Sequence, residues 1–267
     1  MATVDDSRRE ELAAFLRARR ARVDRAALGL PDAPRARVSG LRREEVAALA
    51  GVSVTWYTWL EQARPINPSP QVLEAIGRLF SLSGAELSYL LTLGGHPQTA
   101  AEGAEAAELP AHLQRFIEAF DHPAFLLAPD WSIVAWNRAY RELYPRIDAL
   151  GDDERNLLWL LFTDASLREL LPDWQVQSRR FAGEFRAQAG PRIGAPATAR
   201  LVRRLRESSP EFARVWQEQD VETFTSRERE FVHPVRGRVV YEEHRLMPAD
   251  APGLQLVFYL GVRRDGR

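Results

Sequence analysis

The sequence predicts a two-domain protein in which an all-α domain precedes an α+β domain. Apolar residues recur at helical spacing through about the first 95 residues. Residues 98–108 are rich in Ala, Glu and Gly, and from Leu109 onward short strand-like apolar runs alternate with helical segments. We therefore predict an all-α domain over 8–96, a linker over 97–108 and an α+β domain over 109–264.

Composition excludes several classes of protein and site. The 267 residues are 45% hydrophobic, which is enough for two buried cores. Cysteine is absent, so disulfides and Cys-ligated zinc are excluded, and the five histidines show no metal-ligand spacing. No signal peptide and no run of 18 apolar residues occurs. We expect no metal, no cofactor, no membrane partner and a cytoplasmic location.

Charge is concentrated at one end of the chain. The formal net charge is -1, yet the segment from Ser7 to Arg43 contains eleven arginines and only four acidic residues. Such a local excess is typical of an electrostatic footprint for phosphates. All 36 basic residues are arginine, and we attach no functional weight to that usage.

Five helices are predicted in the first domain. The first is 12–23, followed by a loop over 24–40 with several Gly and Pro residues. Two short helices lie within 42–64, and Ser69-Pro70 begins a helix that continues over 71–80. The last covers 85–93 and ends at two glycines. This arrangement matches a lambda-repressor-like DNA-binding domain.

The segment 42–64 has the spacing of a helix-turn-helix. Gly51 is expected in the left-handed conformation that ends the first helix, and Ser53 is expected to cap the second. The predicted apolar face of the first helix consists of Val46, Ala47, Leu49 and Ala50. An ordinary amphipathic helix pair is the alternative interpretation.

The second helix of this pair has a polar side suited to DNA. At 100° per residue Trp56, Tyr57, Leu60 and Ala63 face the core, whereas Thr55, Thr58 and Gln62 face outward as candidate base readers. Val54 or Trp59 would contact thymine methyls or sugars, although Trp59 also suits a packing or dimer contact. The candidate phosphate contacts are Arg42, Arg43, Arg64 and the helix N-terminus at Ser69, and for the arginines a solvated surface is the alternative. Ser53 is a further candidate DNA-binding residue.

The second domain has the element order of a PAS-like sensor. Two strands, 124–128 and 132–136, flank a Pro-Asp turn signal and predict a hairpin. Asn137 is expected to cap a helix over 138–143, and a helical section continues to about residue 206. The segment SPEFARVWQEQ (209–219) follows, with Ser as N-cap and Pro in the first turn. The three final predicted strands are 229–233, 238–246 and 254–262.

Aromatic residues are abundant in this domain and suit either a ligand cavity or a filled core. Arg186 is the candidate partner for a ligand carboxylate, with a surface salt bridge to an acid near Glu184 or to Asp173 as the alternative. His233, at a strand end, is a further candidate whose alternative role is structural. The other candidate ligand contacts are Trp136, Phe162, Trp174, Phe181, Phe185 and Trp216.

Long motifs in both domains resemble one family, the MmyB-like transcription regulators, in which an Xre-type helix-turn-helix precedes a PAS-like ligand-binding domain. The motifs are LRREEVAALAGVSVTWYTWLEQAR (41–64), PSPQVLEAI (68–76), DWSIVAWNRAY (130–140), NLLWLLF (156–162), LLPDW (170–174), SPEFARVWQEQDV (209–221) and HPVRGRVVYEEHRL (233–246). The resemblance implies a cytoplasmic regulator that binds operator DNA as a homodimer and holds a small, amphipathic, fatty-acid-like ligand. The chain departs from the pattern at Trp59, Ala63 and 65–68, which implies fewer phosphate contacts and a changed operator.

Other functions are less well supported by the residues. The GxSxG, HExxH, P-loop and GxGxxG motifs are absent, so we do not expect an enzyme. A flavin or haem is a minor alternative because Cys is absent and His is scarce. The remaining alternative is that the second domain is a ligand-free module for dimerisation or protein contact.

Overall fold

A computed structural model describes residues 4–30, 40–97 and 109–262 and divides the chain into two compact units. Unit 1 comprises Met1–Ala100, Arg186–Ala199 and Trp216–Glu222, and unit 2 comprises Ala101–Phe185, Arg200–Val215 and Thr223–Arg267. Unit 1 therefore includes two segments from the second half of the chain. Apart from Pro97, the predicted linker lies outside the described residues.

The described N-terminal part of unit 1 contains five α-helices, as predicted. They are α1 (Val4–Arg22), α2 (Arg43–Ala50), α3 (Val54–Glu61), α4 (Pro70–Leu79) and α5 (Gly84–Leu93). Their buried core includes Phe15, Leu16, Tyr57, Ile76 and Leu90. Helix α1 begins eight residues before the predicted start at Leu12. Its first turns carry Asp5 and Asp6, which favour a helix N-terminus although they lack an apolar pattern.

The predicted apolar face of α2 is partly wrong. Val46 and Ala47 are buried, whereas Leu49 is 52% exposed and Ala50 is half-buried. Leu49 lies two positions after Ala47, which places it about 160° away around a helix of 3.6 residues per turn. A helix of two turns that packs through Val46 and Ala47 therefore leaves Leu49 on the outside.

Unit 2 combines helices with one antiparallel sheet. Its strands are β1 (Ala124–Leu127), β2 (Ile133–Trp136), β3 (Arg227–His233), β4 (Gly237–Leu246) and β5 (Gln255–Gly261), in the spatial order β2-β1-β5-β4-β3. The other elements are α6 (Ala111–Glu118), α7 (Arg138–Leu143), α8 (Leu157–Thr163), α9 (Ala165–Leu170), α10 (Trp174–Ala189), α11 (Pro196–Ser208) and α12 (Pro210–Gln217). Helices α10 and α12 end in a segment of unit 1, and α11 begins in one. All five predicted strands are present. The predicted combination of an all-α domain with an α+β domain is confirmed.

Side-chain hydrogen bonds set the ends of the first hairpin. The carboxylate of Asp130 accepts from the backbone N–H of Ser132 at 3.0 Å, inside the predicted turn. Asn137 caps α7 as predicted, because its Oδ1 accepts from the backbone N–H of Tyr140 at 2.9 Å. The same oxygen also accepts from the backbone N–H of Ala124, which connects the helix to β1.

The sheet is covered on both faces. Ala124 and Leu126 of β1 belong to a cluster with Leu113 and Ile117 of α6. The alternate residue Phe125 packs its ring 4.6 Å from that of Tyr140 on α7. Successive strand residues point to opposite faces, so β1 is buried at every position. The face that carries Phe125 adjoins the cavity described below.

Candidate DNA-reading helix and ligand cavity

The turn between α2 and α3 has the predicted geometry. Gly51 ends α2 with a left-handed φ of 71°. Ser53 then caps α3, because its hydroxyl oxygen accepts from the backbone N–H of Trp56 at 3.1 Å. On the inner side of α3, Tyr57 and Leu60 are buried and Trp56 is half-buried. The helix consequently has a defined inner face.

The outer face of α3 carries the predicted base readers. Thr55 and Gln62 are exposed and Thr58 is half-buried. Val54 and Trp59 are large apolar residues that are nevertheless 40% and 45% exposed. The structure thus brings these five predicted residues to one surface of α3 and its C-cap, where helical spacing makes them neighbours.

The predicted phosphate contacts are all exposed. Arg42, Arg43 and Arg64 are exposed, and Ser69 is exposed at the start of α4. The Ser69 hydroxyl accepts from the backbone N–H of Val72 at 3.4 Å, as predicted for an N-cap. The N-terminus of α4 therefore presents backbone N–H groups of the kind that bind anions.

Glu61 anchors α3 from its inner side, a role that helical periodicity does not reveal. Its carboxylate is fully buried and accepts from Arg20 Nη2 at 3.2 Å and from Arg43 Nε at 2.6 Å, while Arg20 Nε binds the other oxygen. The Arg17 guanidinium donates to the Glu61 backbone carbonyl. Burial would raise the pKa of Glu61, but the hydrogen bonds from Arg20 and Arg43 outweigh it and lower the pKa. Helices α1, α2 and α3 are thereby held together by one acid.

Several arginines near the N-terminus form ion pairs with acidic residues of the same unit. Arg25 binds Glu45, with Nη1 to Oε2 at 2.6 Å, and holds the pKa of Glu45 at about 2. Arg19 pairs with Glu86 at 2.8 Å, and Arg22 pairs with Asp220 at 2.6 Å. The count of arginines along the sequence therefore overstates the charge available to DNA.

An apolar cavity of about 30 Å³ lies inside unit 2. It adjoins the sheet face that carries Phe231 and Tyr259, and helices α7 to α10 close it. Its volume would hold about two water molecules, and it is far below the about 300–1,000 Å³ of a typical ligand pocket. The lining residues are Tyr140, Leu143, Tyr144, Leu157, Leu161, Leu167, Leu170, Leu171, Phe181, Arg229, Phe231 and Tyr259.

Arg229 is the charged residue in this lining and is 1% exposed. Its Nε donates to Glu243, its Nη1 donates to Gln177, and its guanidinium carbon lies 4.3 Å from the centre of the Phe181 ring. Its Nη2 has no hydrogen-bond partner among the described residues. A buried guanidinium nitrogen without a partner is costly, so it is suited to bind an added acceptor.

Phe181 is the one predicted ligand contact that lines this cavity in the described part of the chain. The Trp136 indole donates to Asp148 at 2.9 Å, and the Trp174 indole donates to the Leu161 carbonyl at 2.7 Å. The rings of Phe162 and Trp174 pack in an edge-to-face arrangement, with their centres 5.9 Å apart. These three aromatic residues take part in internal packing and hydrogen bonding.

Two further candidates also have structural partners. The Phe185 ring centre is 5.3 Å from that of Trp131. Nδ1 of His233 accepts from the backbone N–H groups of Val235 and Arg236, at 3.1 and 3.3 Å. Burial lowers the pKa of His233, in keeping with an unprotonated Nδ1 that accepts hydrogen bonds. Its geometry is that of the structural alternative.

Arg186 and Trp216 belong to unit 1, and neither lines the cavity of unit 2. Arg186 binds Glu11, Gln219 and the Trp216 carbonyl, so its donors already have protein partners. Its predicted alternative, a surface salt bridge to an acid near Glu184 or to Asp173, is wrong, because Arg186 is buried and pairs with Glu11. Arg229 was missed because Gln177 and Glu243, which hold it, are 52 and 14 residues away.

The capped helix pair and the α+β unit with an internal cavity define a helix-turn-helix protein with a second, α+β domain. The ligand-binding domain of MmyB-like transcription regulators matches residues 109–265, more than half of the chain, and a helix-turn-helix domain matches residues 11–90. The chain belongs to the MmyB-like transcription regulator family. It is a DNA-binding transcription regulator with a ligand-binding domain. A comparison with curated proteins finds no match.

Two further observations concern membranes and metals. Among the described residues, no helix combines the length and apolar character needed to cross a bilayer. The same residues contain no cluster of three or more His, Cys, Asp or Glu side chains arranged for a metal ion.

Proposed function

We propose that α3 reads a specific operator through Thr55, Thr58 and Gln62. Their small or amide side chains suit base edges in the major groove, and Val54 and Trp59 would contact thymine methyls. The observation that carries this proposal is the Glu61 anchor, because it holds the inner side of α3 against α1 and α2 and leaves these side chains outward. A rigid support of this kind is what precise base contacts need.

The phosphate contacts in this proposal are Arg42, Arg64, the N-terminus of α4 at Ser69, and the outer nitrogens of Arg43. Arg43 uses its Nε for Glu61, so it can bind a phosphate while its position is fixed. We further propose a cytoplasmic homodimer, because operators for such domains are commonly two half-sites about 34 Å apart.

Selection of bound sequences from random DNA tests the base-reading proposal. The wild-type protein should recover one operator, and Thr58→Ala and Gln62→Ala should each relax the preference at particular base pairs, at a cost of about 1–3 kcal/mol per lost contact. Gln175→Ala is the matched control because Gln175 is an exposed residue of α10. Unchanged preferences in both α3 variants would refute the assignment.

We propose that the ligand of unit 2 is a small carboxylate with an apolar tail, such as a fatty acid. Nη2 of Arg229 would bind the carboxylate, and the leucines of α8 and α9 would surround the tail. Arg229 replaces Arg186 in this role because the donors of Arg186 have partners in unit 1. Since the cavity is about 30 Å³, binding must displace lining side chains.

The small cavity also favours a second candidate, in which unit 2 is a ligand-free module for protein contact. Phe116, Leu246 and Met247 support it, because they are 51%, 56% and 72% exposed beside one surface groove.

Thermal unfolding with sodium octanoate, dodecanoate and hexadecanoate separates the two candidates. A bound acid at 100 times its Kd should add about 2.7 kcal/mol to the free energy of unfolding. Equal transition temperatures with and without every acid would favour the ligand-free module. Dodecanol is the control for the apolar tail, and we expect a weaker shift because it lacks a carboxylate for Arg229.

A further inference from the structure

Arg186 joins several elements inside unit 1. It is 1% exposed, its Nη1 donates to Glu11 of α1 and to Oε1 of Gln219 at 2.6 Å, and its Nη2 donates to the Trp216 carbonyl. Its guanidinium carbon lies 3.8 Å from the centre of the Trp216 ring. Glu11 also accepts from the Tyr89 hydroxyl of α5 at 2.9 Å. One side chain therefore holds a buried network that includes α1 and α5.

The helix that carries Arg186 also forms part of the cavity wall in unit 2. Helix α10 is continuous over Trp174–Ala189, and its residues are divided between the two units after Phe185. Phe181 lines the cavity, and Gln177 accepts from Arg229. Entry of a ligand into so small a cavity must move Phe181 or its neighbours.

We propose that Arg186 is the residue that couples ligand occupancy of unit 2 to helix α1 of unit 1. This inference rests on the proposed function and names the regulation of the same site. An α-helix transmits a displacement along its backbone hydrogen bonds, and Arg186 follows Phe181 by five residues. Packed cores and buried polar networks adopt discrete arrangements, so a small shift of α10 changes whether the Arg186 contacts form.

The contacts of α1 extend this coupling to the DNA-reading helix. Arg19 donates to the Gln219 carbonyl at 2.7 Å, so α1 is bound to the same segment that holds Arg186. One residue further along α1, Arg20 binds the Glu61 carboxylate of α3. A ligand alters DNA affinity only through unequal binding to two arrangements, and the Arg186 network supplies two, formed and broken.

The test measures the operator Kd of the full chain with and without saturating sodium dodecanoate. The DNA is the duplex that the wild-type protein selects, and the dodecanoate Kd is measured separately by titration. For the wild type we expect a ratio of the two operator Kd values between about 5 and 150. For Arg186→Gln and for Glu11→Gln we expect a ratio within two-fold of one, with the dodecanoate Kd changed by less than about three-fold.

Matched controls use exposed neighbours on the same or an adjacent helix. Glu10→Gln changes the residue before Glu11 on α1, and Arg203→Gln changes an exposed arginine of α11. Both controls should keep the wild-type ratio. A wild-type ratio in folded Arg186→Gln and Glu11→Gln would overturn the coupling role.

A ligand-free measurement separates this inference from the proposed function. If none of the acids binds the wild type, the ligand proposal fails, and hydrogen exchange of α1 decides the coupling. Phe181→Leu should then increase amide exchange around Glu11 at least five-fold in the wild-type background and by less than two-fold with Arg186→Gln. Equal exchange in Phe181→Leu and wild type would overturn the inference.

Discussion

The two units each bury a cluster of charged side chains, and the clusters differ in whether their hydrogen bonds are complete. In unit 1, both carboxylate oxygens of Glu61 accept from arginines. In unit 2, Arg229 is bound by Glu243 and Gln177, yet its Nη2 has no partner among the described residues. Both groups are almost entirely buried.

This difference separates a structural role from a binding role. A buried carboxylate whose two oxygens both accept hydrogen bonds is not stabilised further by an added ligand. Removal of one of its hydrogen-bond partners lowers the stability of the protein. A buried donor without a partner already bears a desolvation penalty, which an added acceptor would relieve.

The largest effect is expected for Glu61→Gln. The amide is neutral and presents one acceptor oxygen, so Arg20 and Arg43 lose a charged partner and α3 loses its anchor. We expect the free energy of unfolding near neutral pH to fall by about 3 kcal/mol, measured by urea denaturation. Glu44→Gln, at an exposed position of α2, is the control and should change it by less than about 0.5 kcal/mol.

The same pair of proteins gives a pH test. The pKa of Glu61 is lowered from an ordinary 4.5, so its stabilisation is present above that pH and is lost as pH falls through the folded-state pKa. The difference in unfolding free energy between wild type and Glu61→Gln should therefore shrink below about pH 4.5. A difference that stays constant down to pH 3 would contradict the charged anchor.

An intermediate effect is expected for Arg229→Lys. The ammonium can still pair with Glu243, so stability should fall less than in Glu61→Gln, but it cannot present a second planar donor to a carboxylate. We expect dodecanoate affinity to fall at least ten-fold, about 1.4 kcal/mol, by titration calorimetry. Arg238→Lys, an exposed position of β4, should keep the wild-type affinity. Equal affinity in Arg229→Lys would remove Arg229 from the ligand site.

The smallest effect is expected at the end of α3. Ala63 has a φ of 57°, in the left-handed region, and the Arg64 N–H donates to the Trp59 carbonyl at 3.0 Å, as in a Schellman motif. Glycine adopts this conformation without a Cβ penalty, so Ala63→Gly should stabilise the protein by about 0.5–1 kcal/mol. Ala48→Gly, within the exposed side of α2, should destabilise it by about 1 kcal/mol. If thermal unfolding showed that Ala63→Gly and Ala48→Gly change the stability in the same direction, backbone strain at Ala63 would not be the cause of the change.

Local signals in the sequence predicted the elements well. The predicted strand 238–246 is observed at Gly237–Leu246, and Asn137 and Ser53 cap the helices they were expected to cap. Alternation, turn residues and caps act over a few residues, so a single sequence contains them. The start of α1 was missed because its first turns are polar, and periodicity detects buried faces.

The residues of the two charged clusters were less predictable. Helical projection of α3 does not reveal the role of Glu61, because its partner Arg20 lies on α1, 41 residues earlier. Six of the eight predicted ligand contacts are Trp or Phe, whereas six leucines and three tyrosines from four helices and the sheet form most of the cavity lining. Composition along a chain cannot show which apolar side chains leave space between them.

The sequence by itself determined the two domain types, the helix-turn-helix, the five strands and the outward side of α3, because these depend on short-range periodicity and turn chemistry. The tertiary structure decided which charges are satisfied. It brought Arg20 to Glu61, Arg186 to Glu11, and Arg229 to Glu243 with one nitrogen left over. Hydrogen bonding is a matter of distances of about 3 Å between atoms, and folding alone sets such distances for residues far apart in the chain.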